Sequence, residues 1–457
     1  MEIDRLFGEH WCQQREGQLF LAELFASARE GDLCFFPEGE PRLPQGLVYE
    51  GEELYPDAPV VKAGEAYYLQ RHWAAEGEVA RHLKRILGSP PRIPLSFEGE
   101  GVTEEQGAAI GAVQQRPLTL LTGGPGTGKT FTAAQLIREI GERDPTHRIA
   151  LAAPTGKAAG NLAKALGGER EVVTLHRLLQ KKGLPIDLLL VDEASMIDVE
   201  MMAALLSAIP EGARLVLMGD PDQLPPVGAG GLFADMVRCL PEAAAHLTRC
   251  LRVETEELVE VANEVKGGIW SGRLPTLPLT REALLQEVAP LFPPGGEVTP
   301  ELFGELMRFR LLAPIRKGEF GIEGLNKLFH SRLGDSVVPI IITRNAYDLA
   351  LYNGEMGLLA EGYGWFLGPD GEMRRVPEGG LPPYELAYCL SVHKSQGSEF
   401  ERVAFVMSPG SDKFGRELFY TALTRARRGF LLLGDEAQVG GMVERRRVRT
   451  SRLGSRL

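Results

Sequence analysis

Cysteine is scarce and scattered. The five in 457 residues (Cys12, Cys34, Cys239, Cys250 and Cys389) are odd in number, and no two form a C-x-x-C pair. That spacing argues against a zinc ribbon, an iron–sulfur cluster or a disulfide framework, and it fits reduced thiols in the cytoplasm. Long apolar runs are missing as well. None approaches the roughly twenty residues a helix needs to cross a bilayer, so no membrane association is expected. The opening MEIDRLFGEHW carries acids early and lacks the apolar core of an export signal. Positive charge is in deficit, with 50 Lys+Arg against 62 Asp+Glu and a net charge of −12. The deficit excludes little, because tracking a phosphate backbone needs a local basic groove and not a basic chain. It is also uneven. Residues 1–100 hold 18 acids and 10 Lys/Arg, whereas the tail after Val443 has six arginines and one Glu. The tail is expected to be a disordered, solvated charged end. No nuclease motif of paired carboxylates with a lysine stands out, so any exonuclease activity would belong to a partner.

What is present is a chain long enough for two or three cored domains, with an ordinary 44% hydrophobic and 25% charged composition. Residues 1 to about 100 are Glu- and aromatic-rich and end in the linker-like GSPPRIPLSFEGEG. From Val102 onward, short apolar runs alternate with Gly-rich turns and helical patterns: PLTLLTGGPGTGKT, RIALAAPTGKAA, IDLLLVDEAS, ARLVLMGD, then VVPIIITRN, RVAFVMSP and FLLLGD. This alternation indicates parallel sheets covered by helices, in two α/β domains in tandem. A Gly/Pro-rich stretch between Asn353 and Tyr388 reads as a small β insertion in the second domain.

Gly123-Gly124-Pro125-Gly126-Thr127-Gly128-Lys129-Thr130 fits the complete GxxxxGK[ST] pattern between an apolar strand and a helix. Glycines let backbone N–H groups turn inward around a phosphate, and the helix N-terminus adds positive potential. Lys129 would place a charge on the β/γ-phosphates, and Thr130 would offer its hydroxyl to Mg²⁺. About sixty residues on, an apolar strand ends in Asp192 and Glu193. Asp192 is the candidate for the Mg²⁺ shell and Glu193 for the base that polarises the attacking water. The two motifs together specify an NTPase using ATP and Mg²⁺, and nothing narrower.

Narrowing comes from VTEEQ, TGGPGTGKT, APTGKAA, TLHRLL, LLLVDEASMID, GDPDQLPPVGAG, LTRCLR, GEFGIEGLN, ITRN, NGEMG, LSVHKSQGSEF and FYTALTRARR, in that order over roughly residues 102–434. In these motifs the chain resembles the superfamily 1 helicases and, within them, the RecD type, the alpha subunit of exodeoxyribonuclease V. The resemblance implies two tandem RecA-like P-loop motor domains with parallel sheets, a small β insertion in the second and a separate N-terminal domain. The implied boundaries are residues 1–100 for a cap or partner-docking domain, 101–240 for the first motor domain, and 241–457 for the second, with the insertion at about 353–388.

The same resemblance implies roles. Gln106 would read the adenine edge, which suits an amide that donates and accepts at once. Gln223 would sense the γ-phosphate. Arg252 and Arg425 would be arginine fingers from the second motor domain; Val253 stands where the family usually has glutamine. Pro154, Thr155 and Lys157, with Thr174, His176 and Arg177, would grip the strand from the first domain. Ser391, His393, Lys394, Ser395, Gln396 and Gly397 would link strand contact to the nucleotide. Asn353 and Gly354 fall in the family's loop before the β insertion, where a plain turn and a DNA contact are equally expected.

The implied activity is ATP-dependent 5′→3′ movement on single-stranded DNA from duplex ends, alongside the beta and gamma subunits of exodeoxyribonuclease V. A stand-alone motor and an ATPase with a structural or regulatory role are the alternatives. Only ten residues separate His176 from Asp187, where relatives carry a longer segment with a strand-separating hairpin. This chain is therefore expected to translocate well and unwind poorly alone. The acidity of the N-terminal zone fits protein docking better than DNA binding.

Overall fold

The computed structural model describes residues 10–97, 99, 101–168, 170–181, 183–251, 256–292, 297–334, 337–368 and 371–457. No helix among them is long and apolar enough to cross a membrane.

The N-terminal domain opens with helix α1 (Arg15–Glu30). Four strands follow: β1 (Cys34–Phe35), β2 (Val48–Glu50), β3 (Val60–Ala63) and β4 (Ala66–Leu69), in the order β1-β4-β3-β2. Phe20, Leu21 and Leu24 of α1 pack on Val60, Tyr67 and Leu69. Helix α2 (Gln70–Leu87) then presents Trp73, Val79, Ala80, Leu83 and Ile86 on one stripe, the three-to-four spacing of a helix with one buried face. That stripe shares a core with the first motor domain.

The first motor domain runs α3 (Glu104–Gln115), β5 (Leu118–Gly123), α4 (Lys129–Arg143), β6 (Ile149–Ala153), α5 (Gly156–Ala165), β7 (Val173–Thr174), α6 (Leu175–Leu179), β8 (Leu188–Val191), α7 (Val199–Ala208), β9 (Arg214–Gly219) and β10 (Ala244–Leu247). Its six strands are all parallel, in the order β10-β5-β9-β8-β6-β7. The last strand, β10, lies past residue 240 and hydrogen-bonds to β5, beside the Gly-rich loop. In parallel sheets ligands gather at the carboxyl ends of the strands. Here the ends of β5, β9 and β8 are neighbours, which brings Gly123–Thr130, Asp220 and Asp192 together. Among the described residues between α6 and β8 there is no strand.

The second motor domain begins with α8 (Glu256–Gly267). Its strands, in chain order, are β11 (Thr276–Leu277), β12 (Phe309–Ala313), β13 (Val338–Ile342), β14 (Met356–Ala360), β15 (Tyr363–Leu367), β16 (Met373–Pro377), β17 (Tyr384–Leu386), β18 (Cys389–Ser391), β19 (Phe400–Met407) and β20 (Ala426–Gly434). Five of them form a parallel sheet ordered β11-β20-β19-β12-β18. The apolar run at residues 337–345 does not belong to it. It supplies β13, the inner strand of an antiparallel sheet ordered β16-β15-β14-β13-β17. A fully buried strand is apolar whatever its direction, so the pattern could not tell the two sheets apart. Helix α9 (Arg416–Leu423) packs between α8 and β19, and α10 (Glu436–Glu444) ends the domain.

The arginine-rich tail is ordered, contrary to expectation. It leaves the second motor domain and returns to the other two. Arg449 donates to the carbonyls of Gly228 and Gly230, and the Thr450 carbonyl accepts from Leu33 N at 2.9 Å. Ser451 Oγ donates to Asp235 Oδ2 at 2.6 Å. Leu453 is fully buried in the shared core, worth about 1.5–3 kcal/mol for such a side chain. Arg456 lies 3.6 Å over the Trp73 ring and pairs with the buried Glu76 at 3.0 Å. Composition marks a solvated end, but these arginines find carbonyls, a carboxylate and an aromatic face that only the fold brings together.

Candidate nucleotide and strand sites in the interdomain cleft

A cavity of about 470 Å³ lies between the motor domains, lined by Gly123, Gly124 and Thr127 on one wall and by Lys266, Tyr420 and Thr424 on the other. The Gly-rich loop has left-handed backbone at Gly126 (φ +75°) and Gly128 (φ +87°). A Cβ at Gly128 would also meet Gln106 Nε2, so glycine serves both the turn and a close approach there. Pro125 belongs to the same rim. Lys129, the first residue of α4, rests its ammonium on the carbonyls of Gly123 (2.5 Å) and Gly124 (3.1 Å). Thr130 follows in the same first turn.

Gln106 is buried in the capping box of α3. Its Oε1 accepts from Thr103 N at 2.9 Å, and its Nε2 has no partner. One of the two carbonyl lone pairs is thus already engaged, and the wholly unpaired group is the Nε2 donor, which faces the loop.

Asp192 follows β8. Its Oδ1 accepts from Glu193 N at 2.8 Å. Burial, and next the charge of Glu193, push its carboxyl up to about 7, against the opposing pull of Lys129. A half-buried pair of neighbouring carboxylates with one lysine for compensation is a chemical fit for a divalent cation, which Thr130 could share. Glu193 has φ +53°, an unusual backbone for a residue with a side chain and one held at a cost of order 1–3 kcal/mol. Such strain concentrates where a side chain must be aimed.

Asp220 and Gln223 follow β9. Gln223 Nε2 donates to Asp220 Oδ2 at 3.3 Å, and both side chains are buried. Arg425 lies just past α9 and is also buried. It does not reach into the nucleotide cavity: its guanidinium is held by the carbonyls of Ser398 (3.1 Å) and Thr421 (3.2 Å). Arg252 lies outside the described residues.

The strand-binding candidates divide by exposure. Thr155 caps α5, its Oγ1 accepting from Ala158 N; Pro154 precedes it. Thr174 caps α6 in the same way through Arg177 N. His176 is exposed, as is Arg177, which pairs with Glu171 at 3.1 Å. Lys157 is half-buried; burial, then the charges of Arg310 and Arg425, lower its ammonium to about 8. In the second domain Ser391 caps the turn Val392–Ser395, and His393 and Lys394 are exposed, Lys394 pairing with Glu385 at 2.7 Å. Ser395 and Gln396 are buried, donating to the carbonyls of Val392 and Leu224. The Gly397 carbonyl accepts from Asn161 of α5 at 2.6 Å. Asn353 and Gly354 form a turn closed by Glu355 N and the Tyr352 carbonyl, with Gly354 at φ +87°.

Residues 101–274 match a family model described as an AAA domain, and residues 386–433 match a UvrD-like helicase C-terminal domain. The RecBCD enzyme subunit RecD of Mycolicibacterium smegmatis is 33% identical over 468 residues, covering 87% of this chain and 84% of that protein. The chain belongs to the RecD family. A further relative, the ATP-dependent RecD2 DNA helicase of Deinococcus radiodurans, is 32% identical over 87% of this chain, which spans 60% of that longer protein. Among solved structures, the Pif1 helicase from Candida albicans aligns with a TM-score of 0.49 at 19% identity, over 74% of this chain and 95% of that one.

For a RecD family member, three residues stand out that motif reading passed over: Asp220, Tyr420 and Thr421. Tyr420 Oη donates to Asp220 Oδ2 at 2.9 Å, and Thr421 Oγ1 accepts from Leu224 N at 2.8 Å. All three lie inside quoted motifs, GDPDQ and FYTALTRAR. Their pairing spans about 200 positions, and no local pattern announces it.

Proposed function

We propose that this RecD family member is an ATP-dependent 5′→3′ DNA helicase and translocase on single-stranded DNA, acting at duplex ends in the cytoplasm as the alpha subunit of an exodeoxyribonuclease V complex. The observation that carries the reading is the two-walled cavity: the Gly-rich loop (Gly123, Gly124, Thr127) with Asp220 on one side, and Tyr420 of the helix that leads to Arg425 on the other. ATP bound there touches both walls and draws them together, and hydrolysis removes the bridge; that is ligand-biased domain closure.

Lys129 offers its ammonium to the β/γ-phosphates after leaving the loop carbonyls. Thr130 and Asp192 would hold Mg²⁺, which supplies charge neutralisation on the phosphate oxygens. Glu193 takes a proton from the attacking water, and Gln223 contacts the γ-phosphate. Arg252 and Arg425 deliver cations to the transition state, Arg425 after release from the Ser398 and Thr421 carbonyls. Pro154, Thr155, Thr174 and His176 contact the strand from the first domain, and in the second domain that role falls to His393 and Lys394.

The short connection between α6 and β8 leaves little chain for a strand-separating hairpin. It favours a subunit that borrows its strand splitter, and the beta and gamma subunits are the partners this reading supplies. ATP hydrolysis with and without single-stranded DNA, beside unwinding of duplexes with 5′ or 3′ overhangs, tests it. The expected result is strand-stimulated hydrolysis with weak unwinding confined to the 5′ overhang. Hydrolysis indifferent to DNA would move the reading to a structural or regulatory ATPase.

A further inference from the structure

The segment that carries Gln223 belongs to the first motor domain by sequence and is held by the second. Asp220 Oδ2 takes the Tyr420 hydroxyl at 2.9 Å, Leu224 N donates to Thr421 Oγ1 at 2.8 Å, and the Leu224 carbonyl accepts from Gln396 Nε2 at 3.2 Å. The Leu224 side chain packs in the second domain's core, with Leu418, Phe419 and Tyr420. Gln223 stands between these anchors. Asp220 Oδ2 accepts from both the Tyr420 hydroxyl and Gln223 Nε2, the latter at 3.3 Å, so the Gln223 amide is turned with its nitrogen inward and its carbonyl oxygen as the remaining acceptor. Asp220 Oδ1 meanwhile takes Asp222 N at 3.1 Å and fixes the loop itself. Tyr420 also leans over the phosphate loop: its hydroxyl would lie 3.3 Å from a Cβ at Gly124.

We propose that Tyr420 is a positioning residue for hydrolysis: its hydroxyl, acting through Asp220, sets the Gln223 amide from across the cleft. This rests on the reading of the cavity as an ATP site. The arrangement makes the sensor's geometry depend on where the second domain sits. The helix that reports domain position through Tyr420 also leads, in the next turn of chain, to Arg425. The sensor and the finger are thereby tied to one element, and in this structure Tyr420 already holds Asp220 while Arg425 is still bound by the Ser398 and Thr421 carbonyls. Burial and the neighbouring carboxylate keep the phenol protonated, so it remains a donor at every working pH.

The test uses Tyr420→Phe in the full chain, which removes the hydroxyl and keeps the ring packed. Steady-state hydrolysis with single-stranded DNA should show kcat falling roughly ten- to a hundredfold, the worth of one hydrogen bond to a charged group. KM for ATP should hold within about twofold, since uniform binding is untouched. The same substitution on a Gln223→Ala background should cost almost nothing more, because residues acting as one unit are non-additive. An equal loss of kcat on both backgrounds would overturn the proposal, since Tyr420 would then act independently of Gln223. So would an unchanged kcat, or a rise in KM alone. A drop in melting temperature would not obscure the result, as the comparison between backgrounds is internal. Absence of turnover in the unmodified chain, or normal turnover in Lys129→Ala, would instead overturn the ATP-site reading and this inference with it.

Discussion

The second motor domain is joined to the rest of the molecule in two ways that differ in kind. Across the cleft, contact is carried by a narrow loop, through Tyr420 to Asp220 and Thr421 and Gln396 to Leu224, and by Asn161 of α5 to Gly397. These bonds lie in and beside a cavity that Asp220 and Tyr420 help to line. The tail makes the other joint. It buries Leu453 in a core, lays Arg456 on Trp73 and closes on the carboxylate of Glu76, which also takes the Tyr68 hydroxyl at 3.1 Å and Arg452 N at 2.8 Å. Opening that joint would strand a charge inside the protein. On the proposed closure of the cleft the first joint is the one that shifts, and the tail is what keeps the second motor domain tied to the rest of the molecule.

Substitutions should separate the two joints. Lys129→Ala should lower ATP turnover by at least roughly 10²–10³-fold, the order seen when a preorganised charge-stabilising group is removed, with the melting curve unchanged. A parallel loss of stability would blur the distinction between the joints. Arg425→Ala should keep nucleotide binding and lose hydrolysis by a similar factor; collapsed affinity with normal turnover per bound ATP would remove its finger role. Glu76→Ala should do the reverse. Breaking a buried ion pair by removing one partner costs about 3–5 kcal/mol, so melting should fall and trypsin should cut sooner at Arg445–Arg447 while phosphate-loop chemistry survives. The smallest effect lies away from both joints. Asp187, just before β8, is gripped by Arg148 through two bonds of 2.7 and 2.9 Å, which hold its carboxyl down at about 2. A depressed carboxylate stabilises the fold above its unfolded value near 3.8 and loses that contribution as pH falls through about 2. Discounted for the half-exposed arginine, the pair is worth about 1–2 kcal/mol. Melting curves of Asp187→Asn against the parent should differ at about pH 6 and converge as the pH drops.

Legibility in the sequence follows the range of the interaction. Gly123 to Thr130 and the Asp192-Glu193 pair are local: a strand, a turn and a helix set their geometry, and their spacing announces it. The two α/β domains are equally readable, because each helix covers its own crossover. Strand direction is not, and Val338–Ile342 falls in the antiparallel sheet although its apolar run suits either. The tail is illegible for the same reason on a larger scale. Arg456 meets Glu76 and Trp73 across some 380 positions, and composition alone describes a solvated end. For Gln106 the capping box that occupies its carbonyl follows from the Thr103 hydroxyl three residues before it, a signal already present in TEEQ.

The claim that the cleft moves and the tail does not can be tested by one measurement: distances from paired fluorescent probes in the full chain, one pair at Glu142 and Ala437 across the cleft and one at Lys84 and Ser455 across the tail joint. Adding a non-hydrolysable ATP analogue with single-stranded DNA should shorten the first distance and leave the second unchanged. A second distance that shifts as much as the first, or a first that does not respond, would contradict the account.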